Sequence, residues 1–209
     1  MLAIESLIVP PEPCVVGHPK GLGPAHVLCP SVYERARPAL RARVIALKRL
    51  RRVRIDPCVV LLFENRETVR MQIQEVLRAE GHTPRRVQQE LERYACLLPP
   101  AGELRATAMV DGGTADRGRR LARALRRDGA VRLRRGGASC GSTLARDDGD
   151  DDDAVQYLRF AQASPLGCSP DATSLEITFE HGSRVQLTAP PRVLLRQLLE
   201  DLRPPPPRP

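Results

Sequence analysis

The sequence predicts an α+β fold in a single domain, with a mixed or antiparallel sheet of about five to six strands and helices mainly on one face. Three observations carry this expectation. From Val59 to Phe63 every residue is apolar, so both faces of that pleat must be covered, as in a strand buried between layers. Segments of helical period alternate with strand-like segments in the earlier part of the chain. Later, Leu175, Ile177 and Phe179 alternate with Glu176, Thr178 and Glu180, His181-Gly182-Ser183 turns, and Val185, Leu187 and Ala189 return. That is a hairpin pattern. The 209 residues supply one core of ordinary size and too little for two. Hydrophobic residues make up 42%, aromatics only 3%, and Trp is absent, so Leu, Val, Ile and Ala must fill the interior.

Taken in order, residues 1–30 form an apolar lead, Ile4 to Val9, followed by a Pro- and Gly-rich stretch that reads as a loop or disordered insertion. Cys14, His18, His26 and Cys29 lie there, but they lack the close Cys pairs of a structural zinc site, and no metal set is expected. The domain proper spans 31–203. Ser31 and Glu34 make a capping box for a helix whose apolar stripe is Leu40, Val44, Leu47 and Leu50. Pro38 either starts a second helix there or kinks the first.

The buried strand follows and ends at Glu64. Residues 66–80 repeat Val69, Ile73, Val76 and Leu77 at helical spacing, and Gly81 stops the helix. Pro84 opens another, with Val87, Leu91 and Tyr94 inward and Pro99-Pro100 beyond. Leu104 to Val110 alternates as a half-exposed strand. After Gly112-Gly113, Thr114 or Asp116 caps an Arg-rich helix to about Arg127, and Val131 to Arg135 is a short strand. Residues 136–153 read as a flexible loop, acidic from Asp147 to Asp153. A strand over 154–162, the hairpin, and a Leu-rich helix after Pro190-Pro191 complete the domain. Residues 204–209 are a disordered Pro-rich tail.

The net charge is +8, and of the 33 basic residues only Lys20 and Lys48 are lysines. Arg reads as the default surface cation of a GC-rich genome, which weakens any inference toward polyanions. Arg35–Arg54 and Arg117–Arg135 are the segments a nucleic acid would use. Stacking aromatics are nearly missing and no helix-turn-helix spacing stands out, so a solvated basic face is the expected role. No apolar run approaches the ~20 residues that span a bilayer. Met1 to Pro10 carries Glu5 and no basic residue, unlike a secretory signal, and a cytoplasmic protein is expected. The six cysteines are scattered and read as free thiols, with Cys58 and Cys96 as small core fillers.

The chain lacks a phosphate-binding Gly loop, a nucleophile elbow and a His-Glu-x-x-His helix, and no cofactor is expected. One constellation remains. Glu64 at a strand end, Gln72 and Glu75 on the next helix, and His181 at the hairpin turn could meet at one rim of the sheet, which would make a metal-dependent enzyme with a carboxylate/His site. The plainer expectation is that Glu64 caps the next helix or pairs with an Arg, Glu75 pairs with Arg70 or Arg78, and His181 is an exposed turn residue. For ligand contact the candidates are Gln72, Arg41 and Arg43.

Four segments carry a family resemblance. They are Ser31-Val-Tyr-Glu-Arg-Ala-Arg-Pro38 with Arg41-Ala-Arg-Val-Ile-Ala46; Leu61-Leu-Phe-Glu64 with Gln72-Ile-Gln-Glu-Val-Leu-Arg78; Gln89-Glu-Leu-Glu-Arg-Tyr94 with Leu104-Arg-Ala-Thr107; and Val155-Gln-Tyr-Leu-Arg-Phe160. Across most of 31–125 and 154–202 the chain resembles an uncharacterised bacterial family catalogued as a domain of unknown function. The resemblance implies a neighbourhood of rubrerythrin and a cysteine-rich iron–sulfur oxidoreductase. The corresponding expectation is an accessory or regulatory binding protein with a redox partner. No catalytic residue is carried over. The family has His where this chain has Leu47 and Gln156, Asn-Pro where it has Ala95-Cys96, and no counterpart of 10–30.

Overall fold

Val59–Phe63 forms β2, and all five residues are buried. It is the second strand of a five-stranded antiparallel sheet. The computed structural model describes residues 21–146, 154–161, 163, 166, 175–181, 184–189 and 191–202. Before β2 comes β1 (Arg52–Asp56), turned back through Pro57-Cys58, with a register shift between Arg54 and Asp56. β3 (Leu104–Val110) pairs with the far side of β2, setting Ala108 opposite Leu61. β7 (Val155–Phe160) follows, with Leu158 opposite Ala106, and the short β6 (Thr143–Leu144) ends the sheet.

A second sheet has the order β5-β4-β8-β9 and is also antiparallel. Its strands are β4 (Val131–Arg135), β5 (Ala138–Gly141), β8 (Glu176–His181) and β9 (Arg184–Thr188). The β4–β5 turn consists of Gly136 and Gly137, at φ 50° and 83°, the doubly positive backbone that a two-residue hairpin turn requires.

The helices are α1 (Pro30–Leu50), α2 (Arg66–Glu80), α3 (Pro84–Tyr94), α4 (Ala115–Leu125) and α5 (Arg192–Leu202). Their starts follow from local chemistry. Asn65 accepts from the Thr68 amide at the head of α2, Thr83 precedes the Pro84 that begins α3, and Thr114 caps α4. Gly81, at φ 105°, ends α2.

Successive strand residues face opposite sides, and each side of the first sheet has its own cover. Val59, Leu61 and Phe63 share a core with Leu121 and Leu125 of α4, Leu194 and Leu198 of α5, and Ile177 and Phe179 of β8. A second cluster joins Val69, Ile73 and Leu77 of α2 to Val87 and Leu91 of α3 and reaches Tyr157 of β7. Removing the main core side from water stabilises by about 1.5–3 kcal/mol for each fully buried Leu or Phe. The α+β class and the single domain are as the sequence predicts. Among the described residues the strands number nine in two sheets, and helices lie on both sides of the first.

Several local expectations give way. Ser31 is not the cap of α1: the helix begins at Pro30 with Cys29 before it. Pro38 sits inside one uninterrupted helix. Of the stripe Leu40, Val44, Leu47 and Leu50, only Val44 is buried, with Tyr33, while Leu50 stays exposed. The reason is that α1 rides on the outer side of α2 and is held by ion pairs, Arg37–Glu75, Arg43–Glu67 and Arg78–Glu34. Residues 136–146, read as flexible loop, instead contain β5 and β6. Their side chains are too small and polar to announce a strand. Residues 21–30, read as part of an insertion, pack against α2 and α3. Leu22 and Val27 join the second cluster, and Leu28 exchanges two backbone hydrogen bonds, 2.9 and 3.0 Å, with the Gln74 amide. The acidic stretch 147–153 and residues 1–20 and 203–209 lie outside the described residues.

Candidate functional site

Glu64, Glu75 and His181 occupy three separate networks. Glu64 directly follows β2, with its side chain buried. One carboxylate oxygen accepts from the Thr107 hydroxyl at 2.7 Å, and the other accepts from the Thr68 hydroxyl. Its backbone N–H bonds the Arg105 carbonyl at 2.8 Å. It does not cap α2, which Asn65 does, and among the described residues it forms no ion pair with an Arg. It is a buried acceptor that ties β2, β3 and the first turn of α2 together. Tyr157 stands near it. Burial, then the neighbouring Tyr94, Cys96 and Glu64, push the Tyr157 phenol above its ordinary range.

Glu75 is gripped from α1. Arg37 reaches it in a two-pronged pair, Nε to Oε1 at 2.7 Å and Nη2 to Oε2 at 2.9 Å, and the Tyr33 hydroxyl donates to Oε1. The Arg37 hydrogen bonds, partly opposed by burial and helped by Tyr33, hold its carboxyl at about 2. A carboxylate so bound is poorly suited to take up a proton near neutrality. The partner is Arg37, where the sequence pointed to Arg70 or Arg78.

His181, at the end of β8, sets Nε2 3.4 Å from Asp56 Oδ2 and leans on the Phe179 ring at 5.0 Å between centroids. It is half-buried and paired, not an exposed turn residue. Asp56 is the centre of this network, buried and accepting from the Cys58 N–H at 2.8 Å and from Arg117 Nη2 at 3.1 and 3.3 Å. Among the described residues the three candidates therefore share no partner, and no common rim forms. No group of three or more His, Cys, Asp or Glu placed to hold a metal lies among the described residues. Of the early quartet, Cys14 and His18 are outside the described residues, and His26 Nδ1 accepts from the Gly23 N–H at 2.9 Å.

Of the binding candidates, Gln72 and Arg41 are exposed on α2 and α1. Arg43 lines a cleft between those helices, with a volume of about 20 Å³. Leu28, Val44 and Met71 give its apolar side, and Arg43, Glu67 and Arg70 its polar side. Room on this scale admits one or two water-sized groups and excludes a cofactor-sized ligand.

Sequence reasoning missed Asp56 and Arg51. Asp56 had a signal: Asp-Pro-Cys between two strand segments is turn chemistry in which the Asp side chain accepts the amide two residues on. Arg51 had none, because its partners are distant in sequence.

Residues 22–202 match the family described as "Protein of unknown function (DUF3501)". The chain belongs to that family. A crystal structure of a novel protein of unknown function from Burkholderia pseudomallei is similar to it. The TM-score is 0.76 and the identity 28%, over 87% of this chain and 99% of that one. No curated protein matches the chain. Among the described residues no helix is long and apolar enough to cross a membrane.

Proposed function

We propose that this protein acts as an accessory or regulatory binding protein of a redox system, in the cytoplasm, with an iron–sulfur oxidoreductase or a rubrerythrin-type protein as partner. The observation that carries the binding role is the separation of Glu64, Glu75 and His181 into independent networks. Each faces its own neighbours within the fold: two hydroxyls bond Glu64, Arg37 and Tyr33 bond Glu75, and His181 Nε2 lies 3.4 Å from Asp56. Side chains committed in this way are positioned for architecture. The nature of the partner rests on the family resemblance.

The Arg-rich segments support a nucleic-acid role less well. Arg37 and Arg43 on α1, and Arg117 and Arg119 on α4, are each paired with a carboxylate, which lowers the free positive charge a phosphate backbone would meet.

Affinity capture with the full chain from native cells, grown aerobically and under peroxide stress, tests the proposal. Recovery of the iron–sulfur or rubrerythrin-type partner is expected. Its absence under both conditions, with the bait folded, contradicts the redox assignment.

A further inference from the structure

α1 is attached to the rest of the protein through little apolar surface. Of its 21 residues only Tyr33 and Val44 are buried, and ion pairs from Glu34, Arg37 and Arg43 supply much of the remaining attachment. A helix in a protein is ordinarily stabilised by packing one apolar face, with polar residues turned to solvent. The outer face of α1 departs from that pattern. Ala39, Ala42, Ile45 and Ala46 stand three or four residues apart and are exposed, and Leu50 extends the same strip. Among the described residues four large hydrophobic side chains are exposed. Two of them are Ile45, at 46%, and Leu50, at 45%, whereas Val155 and Val193 stand on separate elements.

The charge around this strip has one sign. Arg35 and Arg49 lie within it at either end, about 21 Å apart along the helix axis, and Arg41 stands at its edge. All three are exposed, and among the described residues none of them forms an ion pair. Glu34, the one acidic residue of α1, already pairs with Arg78. A cover for the strip must therefore be apolar along its middle and acidic along its margins. A second copy of this chain fails that demand. Laid antiparallel about Ala42, α1 sets Arg35 against Arg49 of the copy. Laid parallel, it sets each against itself, so like charges meet either way. A lipid surface calls for Trp, Phe or Leu on the inserted face, and this strip is mostly Ala. A nucleic acid would set phosphates against Ile45 and Leu50. Small side chains suit a second helix instead, because they let two helix axes approach to about 8 Å.

We propose that the outer face of α1 docks an acidic amphipathic helix of a partner protein. The helix lays its apolar residues along Ala39, Ala42, Ile45 and Ala46 and sets carboxylates against Arg35, Arg41 and Arg49. Helix-in-groove recognition of this kind places anchors at the same three- and four-residue spacing. The attachment of α1 to α2 by ion pairs holds the face ready before the partner arrives. The inference rests on the binding role proposed above, and not on the redox identity of the partner.

The test is photo-crosslinking in native cells with the full chain carrying Ile45→benzoylphenylalanine, and Arg120→benzoylphenylalanine on α4 as the control position. Both residues are exposed, so neither change should disturb the fold, and thermal melting checks this. Mass spectrometry of the crosslinked peptides identifies the segment that position 45 touches. One partner segment is expected, helical in period, with Asp or Glu flanking its apolar stripe. Arg35→Glu and Arg49→Glu set carboxylate against carboxylate and should each cut the crosslink yield about tenfold. Arg85→Glu on α3 should leave it unchanged. Such a segment from a protein outside the iron–sulfur and rubrerythrin classes supports the docking face and contradicts the redox assignment alone. A captured redox partner that does not crosslink at position 45 overturns the docking face and leaves the redox assignment standing. The proposal is also overturned if position 45 crosslinks no more than position 120, or if it crosslinks a second copy, a nucleic acid, a lipid or a segment without acidic flanks. Equal losses from Arg85→Glu and Arg49→Glu overturn it in favour of a diffuse charge effect. Should a Glu variant fail to fold, the identity of the segment crosslinked at position 45 still decides.

Discussion

Arg51 and Asp201 are joined side chain to side chain across 150 positions of sequence. Arg51 is 1% exposed. Its Nη2 donates to Asp201, its Nε to the Phe63 carbonyl at 2.8 Å, and its Nη2 again to the Glu64 carbonyl at 3.2 Å. The end of α1, the end of β2 and the end of α5 are thereby fixed to one guanidinium. Arg51→Met leaves a carboxylate and two carbonyls short of a donor, and the expected loss is about 3 kcal/mol. Asp201→Asn keeps an acceptor oxygen and should cost about 1 kcal/mol. Urea denaturation of the two variants checks the order.

The Arg37–Glu75 pair gives a pH signature. The folded-state pKa of Glu75 is depressed from the ordinary 4.5 to about 2. A depressed carboxylate stabilises the fold fully above its unfolded pKa, and that stability is lost as pH falls through the folded value. The window is therefore about pH 4.5 down to 2. Because a third of the Glu75 side chain is exposed, the screened contribution is about 1 kcal/mol. Denaturation midpoints measured across that window should fall less steeply for Glu75→Gln than for the unsubstituted chain. Parallel curves would show that the pair contributes nothing.

Cys29 should be the readiest thiol among the described cysteines. It is exposed at the head of α1, whereas Cys58 and Cys140 are buried. The Val32 N–H and the Ser31 hydroxyl hold its pKa below 9.0, and a larger thiolate fraction at neutral pH reacts faster. Limited alkylation at neutral pH followed by peptide mass spectrometry should find Cys29 modified well ahead of Cys58 and Cys140. The reverse order would contradict the placement of α1.

What the sequence could show was whatever is settled over short range. Five apolar residues in a row said that β2 is covered on both sides, and Val59 to Phe63 are 0–7% exposed. Pro84 and Gly81 marked ends of α3 and α2 because they constrain the backbone directly. The partition into two sheets was not legible, since it depends on which distant strands meet. Nor was the outward placement of α1, whose attachment is through ion pairs that any of several arginines could have made. At the candidate site the residue types were visible, but their partners were not. Glu64 found two hydroxyls, Glu75 an Arg on another helix, and His181 an Asp whose neighbouring Pro and Cys had announced only a turn.

Glu64, Glu75 and His181 serve three independent networks. Folding free energies of Glu64→Gln, Glu75→Gln, His181→Asn and the triple variant, measured by urea denaturation, test it most directly. The triple loss should equal the sum of the single losses within about 0.5 kcal/mol, as for sites without shared partners. A coupling of about 1 kcal/mol or more would place the three side chains in one site and contradict it.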